Sequence, residues 1–302
     1  MTIQGDDFNY LFAQCIYYIN TNGEWTKPRG LDCKEIICPT LVLKDASKAL
    51  CTIKERKLNY AYLIIEKMTY LSGVSKPDVL FEYNGKMRDF FNKEINDFDG
   101  AYGPRLKGQM EWCYDELKKD KDSRRAVMTI HNASDNHETK DSACTLNLHF
   151  IIRDNKLILI TNMRSNDVKW GLCLDVPAFV FLQEVMACWL NLEMGVYIHQ
   201  PHSLHYYKEF ESELLDYQYM VEEPYTPEIM WKGTNNNKTI PKWDVSRNLT
   251  YIALNDFWTE EENIRRTLSF NPTKYHVINE YLAELLKYWD GKKKYDKKTS
   301  DI

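Results

Sequence analysis

The sequence predicts an α+β fold in a single domain, and three observations lead there. Helical and strand periodicities both occur along the 302 residues. The two kinds of segment do not alternate as regular βαβ units. No internal repeat and no Gly/Ser-rich or Pro-rich linker divides the chain. Asp7 to Asn20 has the apolar spacing of an N-terminal helix, and Thr21 to Gly30, with Gly, Pro and two basic residues, reads as a loop. Leu58 to Leu71 is apolar on a helical period, with Gly73 as a C-terminal stop. Leu106 to Lys118 reads as another helix. Ala126–Ile130, Thr145–Ile152 and Leu157–Asn162 have strand composition, and Asp154-Asn155-Lys156 forms the turn between the last two. Pro177 is expected to open a long apolar helix to about Leu192, Val196–Gln200 to be a short strand, and Ser203 to begin a further helix.

Composition excludes several classes. Lys+Arg 39 against Asp+Glu 44 leaves a net charge of −5, which does not suit a general polyanion binder, so nucleic acid is not an expected partner. At 44% hydrophobic the chain is too rich in core formers for global disorder. The N-terminal stretch lacks a positive segment followed by an apolar one, so no secretory signal is expected. Gln183, Glu184, Asn191 and Glu193 make the apolar stretch from Ala178 to Ile198 too polar for a bilayer, so no membrane is expected and the cytoplasm is the expected location. The eight cysteines are scattered without a CxxC pair and read as reduced thiols. Residues 1–285 read as one domain, and 286–302, with Lys292-Lys293-Lys294 and Lys297-Lys298, as a solvated, disordered tail.

Few motifs could carry chemistry. Arg124-Arg125 follows Asp122-Ser123 at the expected start of a strand, where neighbouring side chains point to opposite faces, so one subunit could not aim both at one site. Arg164-Ser165 offers the guanidinium fork and hydroxyl that a phosphate takes. His199, His202 and His205 recur every three residues, but Pro201 interrupts them and no partners stand nearby at zinc spacing, so no metal is expected. A Gly-rich phosphate loop, HExxH and GxSxG are all absent, which leaves a Rossmann domain or a serine hydrolase unsupported.

One ordered set stands out. Cys144-Thr145-Leu146-Asn147 precedes Arg164 of Arg164-Ser165-Asn166-Asp167 by 20 residues, and Gly171 and His205-Tyr206-Tyr207 follow. Upstream lie Glu66, seven residues before Gly73, then Ala101-Tyr102-Gly103-Pro104-Arg105 and the Arg124-Arg125 pair. From Leu58 to Tyr207 this series resembles the thymidylate synthase superfamily, while the part beyond about Phe210 aligns with nothing. Asp175, eight residues after Asp167, replaces the superfamily's uracil-reading asparagine, which is similar to the phage dCMP hydroxymethylases and the related CMP hydroxymethylases. Asp141-Ser142-Ala143 replaces the prolines usual before the nucleophile. The tryptophan-bearing IWDxW segment is not recognisable, and Met87–Asn92 takes its place. The RTGTGT phosphate loop is missing, which leaves Arg29 as a positional candidate.

The resemblance implies a thymidylate synthase fold, dimeric through its sheet, with 5,10-methylenetetrahydrofolate as co-substrate and a pyrimidine nucleoside monophosphate as substrate. It implies Cys144 as the nucleophile on C6, activated by Arg164, with Glu66 holding a proton-relaying water and Tyr102 assisting. Arg29, Arg164 and Ser165 would bind phosphate, joined by Arg124 and Arg125 of a second subunit; His205 and Tyr207 would touch the sugar; Asp167 and Gly171 would lie on the folate side. Asp175 would select cytosine, because a carboxylate accepts from N4 but opposes O4 of uracil; its alternative role is to cap the helix entered at Pro177. Without the tryptophan segment, water rather than hydride is expected to finish the reaction, giving a 5-hydroxymethylated cytidine monophosphate, dCMP ahead of CMP. The rival expectations are a C5-methylating relative acting on dCMP or dUMP, and a nucleic-acid-binding relative without activity. Joint retention of Cys144, Glu66, Arg164 and His205 argues against the latter.

Overall fold

The computed structural model describes residues 1–222. The tail expected at 286–302, and the end of the domain expected at 285, lie outside the described residues.

Strands β1 (Thr2–Gly5), β2 (Glu24–Thr26), β3 (Cys33–Ile37), β4 (Thr40–Leu43), β5 (Val127–Thr129), β6 (Thr145–Arg153), β7 (Lys156–Met163), β8 (Asn166–Asp167), β9 (Glu193–Pro201) and β10 (Ser203–Tyr207) form two sheets. The larger is ordered β1-β4-β9-β7-β6-β5 and the smaller β2-β3-β10-β8. The helices are α1 (Phe8–Asn22), α2 (Tyr60–Ser72), α3 (Pro77–Tyr83), α4 (Tyr102–Leu106), α5 (Gln109–Lys119), α6 (Cys173–Leu190), α7 (Glu211–Leu215) and α8 (Tyr219–Glu222). The fold is α+β, as the sequence predicts.

Local chemistry accounts for the main boundaries. The Asp7 side chain accepts from the Tyr10 N–H and starts α1, whose buried stripe includes Phe8, Leu11, Phe12, Cys15, Ile16 and Ile19. Asn59 starts α2 in the same way, and Gly73 ends it in the left-handed conformation, φ 70°, which costs glycine little. In the long hairpin β6–β7, Leu148, Phe150 and Ile152 alternate with half-buried Asn147, His149 and Ile151. Leu157, Leu159 and Met163 likewise alternate with half-buried Ile158, Ile160 and Asn162. Helix α6 packs on this sheet against β7 and β9. The opposite, partly exposed side also carries Val196 and Ile198 of β9 and Val42 of β4.

Four expectations need correction. Ser203 opens a strand rather than a helix, because β10 hydrogen-bonds antiparallel to β3 on one side and parallel to β8 on the other. Helix α6 begins at Cys173, four residues ahead of Pro177, because a π-type turn, Val168–Leu172, is already capped by Asp167 and feeds into it. Arg124 and Arg125 precede β5 in an exposed bend, so the argument from strand alternation does not apply to them. The loop expected at Thr21–Gly30 includes β2. The polar residues of α6 also do not disqualify it by composition: Val168–Leu190 is long and apolar enough to cross a bilayer, and what distinguishes it is that most of it is buried inside the fold.

Candidate active site

Antiparallel pairing of β6 and β7 explains the 20-residue spacing. Thr145 pairs with Met163, which returns Arg164 beside Cys144, and the Arg164 N–H donates to the Cys144 carbonyl at 2.8 Å. The guanidinium then wraps the loop that carries Cys144: Nε donates to the Ala143 carbonyl at 3.0 Å, and Nη2 to the Ser142 carbonyl at 2.8 Å and to Cys144 Sγ at 3.4 Å. Behind the loop, Tyr102 is held among Tyr70 and Phe179, and its hydroxyl accepts the Thr145 N–H at 3.0 Å. Asp141 accepts the Gly100 N–H at 2.8 Å, and Arg105 grips Asp135 with both nitrogens, 2.5 and 2.7 Å. The loop that lost its prolines is therefore fixed by hydrogen bonds instead.

The electrostatics at Cys144 run against the expectation. Burial raises the thiol pKa; Arg164 opposes this, while Asp175 and Asp141 add to it, and the net shift is upward. Arg164 has the expected sign but desolvation outweighs it, so the free chain holds a thiol that must lose its proton as it attacks.

Glu66 lies on α2 with the Tyr62 hydroxyl donating to Oε1 at 2.8 Å. Burial raises its pKa to about 7, with the hydrogen bonds from Tyr62 and Tyr70 pulling the other way. A carboxyl poised there can exchange protons in either direction at neutral pH. Asp175, in the first turn of α6, accepts from Asn166 Nδ2 at 2.7 Å; burial and the nearby Glu66 hold its pKa well above the usual carboxylate range. The cap at this helix entry is Asp167, whose side chain accepts from the N–H groups of Lys169, Trp170 and Gly171 at 2.9, 3.0 and 2.9 Å. Asp175 is not the cap.

A cleft of about 850 Å³ is lined by Arg29, Arg164, Ser165, His205 and Tyr207, together with Ser142. Arg29 adopts φ 54° and reaches Tyr207. His205 is buried, with its ring edge-on to Tyr207. The lining also includes Glu35, His131, Asp135, Asn136, His137 and Glu138. Sequence reasoning passed over these residues, although a polar, turn-rich run just before the nucleophile was a usable signal. Cys144 adjoins the cleft through Arg164. Arg124 and Arg125 do not line the cleft; both are exposed, with Arg125 Nε 4.0 Å from Glu116.

Two other features were not foreseen. Trp170 is 45% exposed, with Lys86 Nζ 4.7 Å and Lys169 Nζ 5.1 Å from its ring, so an indole stands against the turn Gly85–Asp89 in the region where the tryptophan segment is missing. His199 is buried between Tyr197 and Asn166. The three histidines lie on β9, the connection after it and β10, and among the described residues no group of three His, Cys, Asp or Glu could hold a metal ion.

A cysteine beside an arginine, a half-buried glutamate and a cleft lined by two arginines define a candidate site for covalent chemistry on an anionic substrate. The chain belongs to the thymidylate synthase family, whose family model matches residues 10–264. The match runs beyond both ends of the stretch in which the sequence resemblance was read, including past Phe210. Similar relatives are a deoxyuridylate hydroxymethyltransferase of Bacillus phage SP01, 31% identical over 225 residues, covering 68% of this chain and 58% of the relative. Proteins of the same name from Delftia phage PhiW-14 and Pseudomonas phage M6 are 29% and 28% identical, over 58% and 56% of this chain and 53% and 50% of their own lengths. The chain thus spans between half and three-fifths of the length of these relatives.

Proposed function

We propose that the chain hydroxymethylates C5 of a pyrimidine nucleoside monophosphate, with dCMP as the preferred substrate and CMP as the ribose counterpart. The observation that carries the chemistry is Cys144 Sγ at 3.4 Å from a guanidinium that also lines the cleft beside Ser165, because it joins a nucleophile to a phosphate site. The co-substrate, 5,10-methylenetetrahydrofolate, supplies a one-carbon unit. The exposed indole of Trp170 between two lysines, on the loop capped by Asp167 and continued by Gly171, suits a flat, carboxylate-bearing ligand.

In this reading Arg29, Arg164 and Ser165 hold the phosphate while His205 and Tyr207 meet the sugar. Cys144 Sγ bonds to C6, which makes C5 nucleophilic, and leaves again when the product forms. The C5 proton passes to water held by Glu66, and Tyr102 keeps the Thr145 backbone, and hence Cys144, in place. Water supplies the product hydroxyl. The missing tryptophan segment does not by itself favour water, since Trp170 is an aromatic replacement; the names of the relatives do. The half-buried Ile151, Ile158, Ile160 and Ile198 face of the large sheet fits a homodimer that brings Arg124 and Arg125 to the partner's cleft.

Base choice rests on Asp175. As a carboxylate it would accept from N4 of cytosine and oppose O4 of uracil. Its raised pKa changes that argument: a neutral carboxyl offers one donor and one acceptor, as an amide does, and could pair with either base. This supports a second reading, dUMP as substrate, which the names of the relatives also favour. Incubation with dCMP, CMP or dUMP plus methylenetetrahydrofolate, with mass analysis of the nucleotide, tests both. The expected products are 5-hydroxymethyl-dCMP and tetrahydrofolate; a methylated nucleotide with stoichiometric dihydrofolate would overturn hydroxymethylation. If Asp175 meets the base as a carboxylate, Asp175→Asn is expected to shift the dCMP/dUMP ratio of kcat/KM towards dUMP by about 10²-fold or more, mismatched buried pairs costing on the order of 1–3 kcal/mol each; if it meets the base as a neutral acid, the amide repeats its donor and acceptor and the ratio holds.

A further inference from the structure

A chain of hydrogen bonds ends on Asp175. The Tyr197 hydroxyl lies 2.8 Å from His199 Nδ1, His199 Nε2 lies 2.9 Å from Asn166 Oδ1, and Asn166 Nδ2 lies 2.7 Å from Asp175 Oδ2. Its first three members are all buried, at 1%, 1% and 3% exposure. The direction of each bond follows from chemistry. An amide oxygen only accepts, so His199 Nε2 carries hydrogen and donates to Asn166. Burial pushes the His199 pKa down to about 3, so the ring is neutral with a single N–H, and Nδ1 accepts from the Tyr197 hydroxyl. The amide nitrogen of Asn166 only donates, so Asp175 Oδ2 accepts. Gly171 leaves room for this last bond: a Cβ there would stand 2.6 Å from Asn166 Nδ2 and 3.2 Å from Asp175 Oδ2.

We propose that Asn166 and His199 are specificity-determining positioning residues: their directed hydrogen bonds commit Asp175 Oδ2 to accepting, so that only Oδ1 can present a proton to the base. The proposal rests on the reading of Asp175 as the base-facing group. An acid whose proton has one allowed place is asymmetric, with a donor on one side and an acceptor on the other. A pyrimidine pinned at C6 by Cys144 and at its phosphate by Arg164 meets that pattern in one pose, and cytosine and uracil present opposite polarities there. One base matches and the other opposes donor to donor and acceptor to acceptor. Without the chain the proton can occupy either oxygen, and the carboxyl adapts to both bases.

The titratable neighbours of Asp175 are Glu66, Tyr62 and Tyr70 of α2, Tyr102 of α4, Cys144, Asp167 and Tyr197. None of these donates a hydrogen bond to Oδ2 in the way Asn166 does. The Asn166 bond favours the ionised form and so lowers the Asp175 pKa, which gives a second, independent readout.

The test measures kcat/KM for dCMP and dUMP from pH 6 to 9 in the full chain and in Asn166→Ala, His199→Phe, His199→Gln and Asp175→Ala. Asn166→Ala and His199→Phe are expected to bring the ratio of preferred to rejected base about tenfold or more closer to one, the scale of one lost buried hydrogen-bond match. His199→Gln keeps a donor for Asn166 and an acceptor for Tyr197, and its ratio is expected to stay within about threefold of the parent. Asn166→Ala should also move the pH limb assigned to Asp175 upward, which His199→Gln should not. If the larger changes prevent folding, Tyr197→Phe removes only the first donor, and about a two- to threefold relaxation of the ratio is expected. A lower melting temperature or an equal loss for both nucleotides, with the ratio and the limb unmoved, would overturn the proposal and leave the chain a packing feature. An unchanged ratio in Asp175→Ala, which removes donor and acceptor together, would overturn the underlying base reading instead, so the two failures are distinguishable.

Discussion

The cleft and the chamber beside it are built on opposite principles. Arg29 and Arg164 stand in water at the mouth of an open cleft, whereas Glu66, Asp175 and His199 are withdrawn from it and their pKa values are moved by burial. Anion binding needs permanent charge and tolerates solvent, so it can be placed on strand ends and loops. Proton transfer near neutral pH needs groups with shifted pKa, and only desolvation with selected hydrogen bonds supplies them. Cys144 lies on the border, in contact with the cleft through Arg164 and raised by the same burial that tunes Glu66.

That division can be broken in steps. The largest effect is expected from Cys144→Ala, which should reduce turnover to background while leaving nucleotide binding measurable, because the cleft residues do the holding. Release of tritium from C5 of the nucleotide checks it, and near-normal release would place the nucleophile elsewhere. Arg164→Ala crosses the border and is expected to lower kcat/KM by about 10²- to 10³-fold, since a charge-assisted phosphate contact and the clamp on Ser142 and Ala143 are lost together. The same variant removes the larger of the two charges, Arg164 and Arg29, that oppose the upward shift of Cys144, so the pH midpoint of thiol alkylation should rise further. A midpoint that falls or stays put would mean that Arg164 serves the phosphate alone.

The smallest effect tests the chamber by itself. Tyr62 donates to Glu66 Oε1 and so favours its ionised form; removing the hydroxyl should raise the carboxyl above its value of about 7. Tyr62→Phe is therefore expected to displace the rising limb of kcat against pH upward by about one unit, losing about tenfold near pH 6.5 and recovering at alkaline pH. A uniform loss at every pH would show that Tyr62 only packs against Met87 and the α2 surface.

Legibility in the sequence followed the range of the interactions. Asp7 and Asn59 as caps, Gly73 as a stop and the turn at Asp154-Asn155 act over one to four residues, and each could be read locally. The spacing of Cys144 and Arg164 was also readable, because an antiparallel hairpin converts sequence distance directly into spatial pairing. Ser203–Tyr207 could not be assigned correctly, since its strand form depends on β3 and β8, one of them distant in the chain. Asp175 carried two local readings, cap or base reader, and tertiary structure gave the cap to Asp167.

By itself, then, the sequence singled out Cys144, Arg164 and the carboxylates near them, because these stand out by residue identity and short-range spacing. The tertiary structure decided their working states. It left Cys144 a thiol despite its arginine, put Glu66 near neutrality, and aligned Tyr197, His199 and Asn166 behind Asp175 from strands far apart in the chain. Desolvation and hydrogen-bond direction depend on everything packed around a group, and that is information no local stretch of sequence contains.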